Sequence, residues 1–77
     1  MIMLDRIKSI LQSKGFDTSS ITEETQLIAD LKLKSLNIIE LVNDLENEFD
    51  IEIPDRSIRD LKTIGNVISL VESLQDK

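Results

Sequence analysis

Apolar positions recur at helical spacing in three stretches of the chain and lose that spacing between them. Over residues 2 to 14, Met3, Leu4, Ile7, Ile10 and Leu11 fall within about 120° of one another on a wheel turning 100° per residue, which predicts an amphipathic helix. Gly15 follows where a left-handed C-terminal cap is wanted, and Asp17-Thr18-Ser19-Ser20 is a run of short polar side chains that favours turns. From Leu36 to Phe49, the positions Ile38, Leu41, Val42, Leu45 and Phe49 share one side, with Leu36 and Ile39 extending it toward the flank. Ile51-Glu52-Ile53 then runs into Pro54, which disfavours helix at the residue before it, and Asp55 or Ser57 is placed to cap a one-turn helix ending near Leu61. Thr63 is a candidate N-cap for a last helix in which Ile64, Val67, Ile68, Leu70, Val71 and Leu74 lie together.

Between the first two helices, Leu27, Ile28, Leu31 and Leu33 follow neither a helical nor an alternating period. Ser20 and Glu23 have capping-box spacing and predict a short turn through Gln26, so residues 15 to 34 read as a long loop pinned by its own leucines. The expectation is an all-α fold of three longer helices and one short one, as a single freestanding domain over residues 1 to 77.

Composition narrows the chemistry. With no cysteine and no histidine, disulfides, thiolate or imidazole metal sites, cysteine nucleophiles and histidine acid-base catalysis are all excluded. A net charge of −6 opposes binding to polyanions, and two Phe as the only aromatics leave nothing on which bases stack, so nucleic acid is not an expected partner. No apolar run approaches the length of a membrane span or a signal-peptide core, and a cytoplasmic protein is expected.

The acidity is local. Glu40, Asp44, Glu46, Glu48, Asp50, Glu52 and Asp55 lie in a stretch of twenty residues that contains no base, so the rest of the chain carries one net positive charge. On the wheel Glu40, Asp44 and Glu48 stand with Asn37 and Asn47 opposite the core positions. Like charges one turn apart cost a few tenths of a kcal/mol per pair. Either this is a solvated helix face, or it is a docking surface for basic partners; a solvated face usually mixes signs, and this one supplies no Lys or Arg of its own.

Ser35 stands immediately before the second apolar-periodic segment, where its hydroxyl is positioned to serve as an N-cap. As a nucleophile it has no histidine to activate it, and Lys34 is only its sequence neighbour. A serine exposed at a loop-to-helix junction can instead be the substrate of another enzyme, with an attached phosphodiester sitting at the positive end of the helix dipole.

Asp30-Leu31-Lys32-Leu33-Lys34-Ser35-Leu36, then Glu40-Leu41-Val42, Leu45-Glu46-Asn47-Glu48-Phe49 and Asp50-Ile51-Glu52-Ile53-Pro54-Asp55, together resemble the acyl carrier proteins over nearly the whole chain. The resemblance implies a four-helix bundle in which Ser35 carries a 4'-phosphopantetheine arm, attached from coenzyme A by a phosphopantetheinyl transferase, whose thiol holds acyl groups as thioesters. It also implies that the helix after Ser35 is a recognition helix, with Leu36, Glu40 and Glu48 at matching positions. With Asn37, Asp44 and Asn47 on the same face and Lys34 beside the serine, these are the candidate contacts for partner enzymes with basic docking surfaces. Val42, Leu45, Ile53, Ile58 and Leu61 are the candidates to line an acyl pocket. The chain is then a monomeric carrier for fatty acid, polyketide or related synthesis, with the reactive chemistry left to its partners. Two positions depart from the family pattern: Lys34 replaces the usual Asp before the serine, and Lys32 stands where many members have Gly. Both put positive charge beside the arm and point to a specialised carrier with matched partners. An unmodified acidic adaptor, favoured by Lys34 and disfavoured by Ser35, and an amino-acid carrier are the alternatives.

Overall fold

The computed structural model describes residues 2 to 75. The chain forms α1 (Ile2–Ser13), α2 (Ser35–Phe49), α3 (Asp55–Ile58) and α4 (Ile64–Gln75), with the long loop between the first two as the hydrophobic pattern predicts. The three long helices pack against one another. Ile7 and Leu11 from α1, Leu41 and Leu45 from α2, and Ile64, Val67 and Val71 from α4 are fully buried. These are the positions that recur at three- and four-residue spacing, and burying each one contributes about 1.5 to 3 kcal/mol of apolar transfer free energy. Leu36 and Ile39, by contrast, are 65% and 50% exposed and do not extend the core.

α1 ends as its glycine requires. Gly15 takes a φ of 96°, the Phe16 N–H reaches the Leu11 carbonyl at 3.2 Å, and the Gly15 N–H reaches the Gln12 carbonyl at 3.0 Å. This is the paired bonding of a Schellman cap. α4 begins with the cap expected of Thr63: its Oγ1 accepts the Asn66 N–H at 3.1 Å, and Asn66 Oδ1 accepts the Thr63 N–H at 3.0 Å in return. α3 is shorter than expected, ending at Ile58 rather than near Leu61, and has Pro54 at its N-cap with no side-chain cap bond. α2 closes on Asp50 in the left-handed conformation, φ 55°, with the N–H groups of Asp50 and Ile51 both on the Glu46 carbonyl. The Glu46 carboxylate then accepts the Ile53 N–H at 2.8 Å, which folds the Ile51–Ile53 stretch back beside α2.

The long loop is held by its apolar residues and by the backbone. Ile21, Leu27 and Leu33 are buried. The Ser20–Glu23 capping box does not form; the turn starts two residues later, where the Thr22 N–H bonds to Thr25 Oγ1 at 2.8 Å and the Glu24 N–H to Thr22 Oγ1 at 3.2 Å. That frees the Glu23 and Thr25 carbonyls to accept the Gly65 and Ile64 N–H groups at 2.7 and 2.9 Å, while the Leu27 N–H bonds to the Lys62 carbonyl at 2.9 Å. The loop is thereby fastened to the start of α4. At Gly65 any Cβ would lie 3.0 Å from the Glu23 oxygen, so the close approach depends on the missing side chain.

Candidate functional site

Ser35 is the first residue of α2 rather than its N-cap, which corrects the expectation from position alone. Lys34 occupies the cap, with extended backbone at φ −95° and ψ 171° and with its carbonyl accepting the Ile38 N–H at 3.0 Å. An ammonium group has no acceptor, so the cap is satisfied from the other side: Asn37 Oδ1 accepts the Lys34 N–H at 2.9 Å. The consequence for Ser35 is that its hydroxyl is not consumed by capping. It is exposed and makes no hydrogen bond among the described residues. An exposed, unengaged hydroxyl at a helix start fits a residue that receives a large phosphodiester-linked group.

The surface around this serine is apolar and cationic. Leu36 and Ile39 on α2 and Ile28 in the loop are the large hydrophobics left exposed among the described residues. The Lys32 N–H closes onto the Ile28 carbonyl at 3.1 Å, so these two residues share one turn of the loop leading to Ser35. Lys32 holds φ 60°, the left-handed region that glycine enters freely and other residues enter at a cost of about 1 kcal/mol. That geometry is one in which a glycine would fit at lower cost. Neither Lys32 nor Lys34 makes an ion pair among the described residues.

The acidic face of α2 is different from what the local sequence predicts. It does have bases, supplied by Arg6 of α1 and by Lys14 in the turn that follows it. Lys14 Nζ lies 2.7 Å from Asp44 and 3.9 Å from Glu40, and Arg6 pairs with Glu48 while its guanidinium stands 4.5 Å above the Phe49 ring. The hydrogen bond to Asp44 raises the Lys14 pKa above its ordinary value against an opposing desolvation, with both acids adding attraction. Glu40, Asp44 and Glu48 nonetheless keep 40 to 48% of their side-chain surface accessible, and Asn47 is exposed beside them.

A cleft of about 440 Å³ runs between α2 and α3, lined by Ile39, Val42, Asn43, Glu46, Ile53 and Ile58, with Asp55 and Arg59 at its rim. Three of the expected pocket residues, Val42, Ile53 and Ile58, meet here. Leu45 and Leu61 do not line it: Leu45 is fully buried against the core, and Leu61 faces a smaller hollow beside Ser57 and Leu70. Ile39, Asn43 and Glu46 were not anticipated as lining, although Ile39 and Asn43 sit one turn apart on the α2 flank nearest Val42. Among the described residues no group of acids is gathered to hold a metal ion.

The small helical bundle thus presents the Ser35 hydroxyl at the start of α2, one helical turn before Ile39 at the apolar cleft. Residues 5–71 match the family described as phosphopantetheine attachment site. The chain is 38% identical over 71 residues to an acyl carrier protein of Thermotoga maritima, covering 91% of this chain and 88% of that one. The crystal structure of an acyl carrier protein from Thermotoga maritima superposes with a TM-score of 0.88 at 25% identity, covering 96% of this chain and 87% of that one. The chain belongs to the acyl carrier protein family, whose members are carriers rather than enzymes and bear a covalent 4'-phosphopantetheine group on a serine.

Proposed function

We propose that Ser35 is the serine that bears the arm and that this chain presents acyl groups, held as thioesters on the arm's thiol, to the enzymes of a fatty acid, polyketide or related pathway. The observation that carries this reading is the exposed, unbonded Ser35 hydroxyl at the start of α2, inside the matched region. The arm supplies the thiol that the chain itself lacks. Val42, Ile53 and Ile58, with Ile39, form the apolar wall against which an acyl chain is sheltered. Leu36 and Lys34 flank the arm's root, and the accessible oxygens of Glu40, Asp44 and Glu48, with Asn37 and Asn47, meet cationic groups of partner enzymes farther along α2. The carrier is read as a monomer working in the cytoplasm; no helix of the described residues is long and apolar enough to cross a membrane.

Intact mass after incubation with coenzyme A and a promiscuous phosphopantetheinyl transferase tests the assignment. One arm is expected, mapped by peptide digestion to Ser35, and none in Ser35→Ala. An arm on another serine, or equal labelling of Ser35→Ala, overturns it.

A further inference from the structure

The two lysines beside Ser35 occupy positions where the fold gains nothing from them. Lys34 places a cation at the positive end of the α2 dipole and offers the cap no acceptor. Lys32 holds a left-handed backbone conformation that glycine would adopt at lower cost. Both side chains are exposed and neither is paired among the described residues, whereas Glu40, Asp44 and Glu48 of α2 pair with Lys14 and Arg6. The acids Glu40, Asp44 and Glu48 are thus partly answered from within, while the two charges beside the serine are positive and unpaired among the described residues. Leu36, 65% exposed, adjoins the serine.

Resting on the assignment of Ser35 as the attachment site, we propose that the region Lys32–Lys34–Leu36 is a docking surface for a transferase that presents carboxylates to the two lysines and an apolar recess to Leu36. The transferase is the partner most tightly constrained. It must bring its donor into bonding range of Ser35 Oγ, so its own surface contacts the residues on either side. In that step Ser35 Oγ bonds to the phosphorus of coenzyme A that bears pantetheine, the bond from that phosphorus to the bridging oxygen breaks, bisphosphorylated adenosine leaves, and the hydroxyl proton passes to the enzyme's base. A transferase with a basic rim would meet two like charges there; one with an acidic rim gains steering and register from the same pair.

The test uses the purified phosphopantetheinyl transferases of the host organism with coenzyme A, measuring initial rates of arm transfer to the full chain. The variants are wild type, Lys32→Glu/Lys34→Glu, and Lys32→Gly, which is expected to raise the urea midpoint. With the transferase that best modifies wild type, the double reversal is expected to lower kcat/KM about tenfold at low salt. The loss should fall in KM for the carrier and shrink when salt is raised to about 0.5 M. Lys32→Gly should lower kcat/KM by about threefold despite its greater stability. An increase on reversal, or no change at low salt, overturns the acidic rim. A rise confined to KM for coenzyme A overturns it as well, because the lysines would then be meeting the donor's phosphates. Absence of any mass gain on wild type with every transferase would remove the arm itself, and the docking surface with it.

Discussion

Arg6 ties α1 to the acidic face of α2, and replacing it should cost more than replacing the acid it pairs with. Arg6→Gln removes an ion pair to Glu48 whose side chains are 42% and 44% exposed, and it removes a cation 4.5 Å above the Phe49 ring. An exposed pair contributes about 0.2 to 1 kcal/mol, and a cation over a ring at such a site about 0.5 to 1 kcal/mol. With solvent screening, the sum is about 1 kcal/mol, which lowers Tm by about 4 to 8 °C in a domain of this size. Glu48→Gln loses the same ion pair but keeps the cation over Phe49 and relieves repulsion from Asp44 one turn away by a few tenths of a kcal/mol, so its net effect should lie within about 0.5 kcal/mol of zero. Urea unfolding followed by circular dichroism, on both single variants and the double, gives the coupling directly. A favourable coupling of about 0.2 to 1 kcal/mol is expected at low salt and a smaller one at about 0.5 M. If Arg6→Gln were neutral at low salt with zero coupling, Glu48 would belong to a solvated like-charge face, and the view that α1 answers the acids of α2 would be wrong.

Leu45→Ala empties a fully buried site between the helices and should lose about 2 to 5 kcal/mol, seen as a large fall in the urea midpoint or as an unfolded far-ultraviolet spectrum. Lys32→Gly should stabilise by up to about 1 kcal/mol, since φ 60° suits glycine while its added freedom in the unfolded chain offsets part of the gain; a lowered midpoint would contradict the left-handed geometry. The Ser19 backbone N–H and hydroxyl hold the Asp17 carboxyl below its ordinary value of 3.8, so the stability it contributes is complete above that pH and is lost as pH falls through the lower folded value. Asp17→Asn should accordingly flatten stability against pH below 3.8 and leave the slope near neutrality unchanged.

The helices were legible because their signals are local. The repeat of apolar residues in α1, α2 and α4, the glycine after α1 and the Thr63–Asn66 cap all act within a few residues, and each forms as its spacing predicts. The loop-to-helix junction at Ser35 was legible too, but which residue caps the helix was not. Competition between Ser35 and Lys34 for the cap is decided by Asn37, three residues beyond Lys34, whose side chain accepts the Lys34 N–H. A reading of that spacing would have found it. The bases answering the acidic face could not be read the same way, since Arg6 and Lys14 lie far from Glu48 and Asp44 in sequence and meet them only when α1 packs on α2. The division of the expected pocket, with Leu45 in the core and Ile39 at the cleft, turns on the angle between helices, which periodicity does not encode.

The backbone bonds joining Glu23, Thr25 and Leu27 to Gly65, Ile64 and Lys62 make the long loop and the start of α4 one chassis, whereas the cleft has the short α3 along one side. The tie continues through the Leu33 N–H on the Leu27 carbonyl, so the segment delivering Ser35 is anchored, step by step, to the start of α4. α3 has four residues and none fully buried, and it hangs between Pro54 and the turn at Arg59–Asp60. Amide exchange should accordingly be fastest in α3 and slow at Leu27, Leu33 and Ile64. Widening the cleft would then displace α3 and not the anchorage of Ser35. If Ser35 bears the arm, as proposed, a partner enzyme would meet the same footing there for a short cargo and a long one, and docking would be decoupled from what is carried.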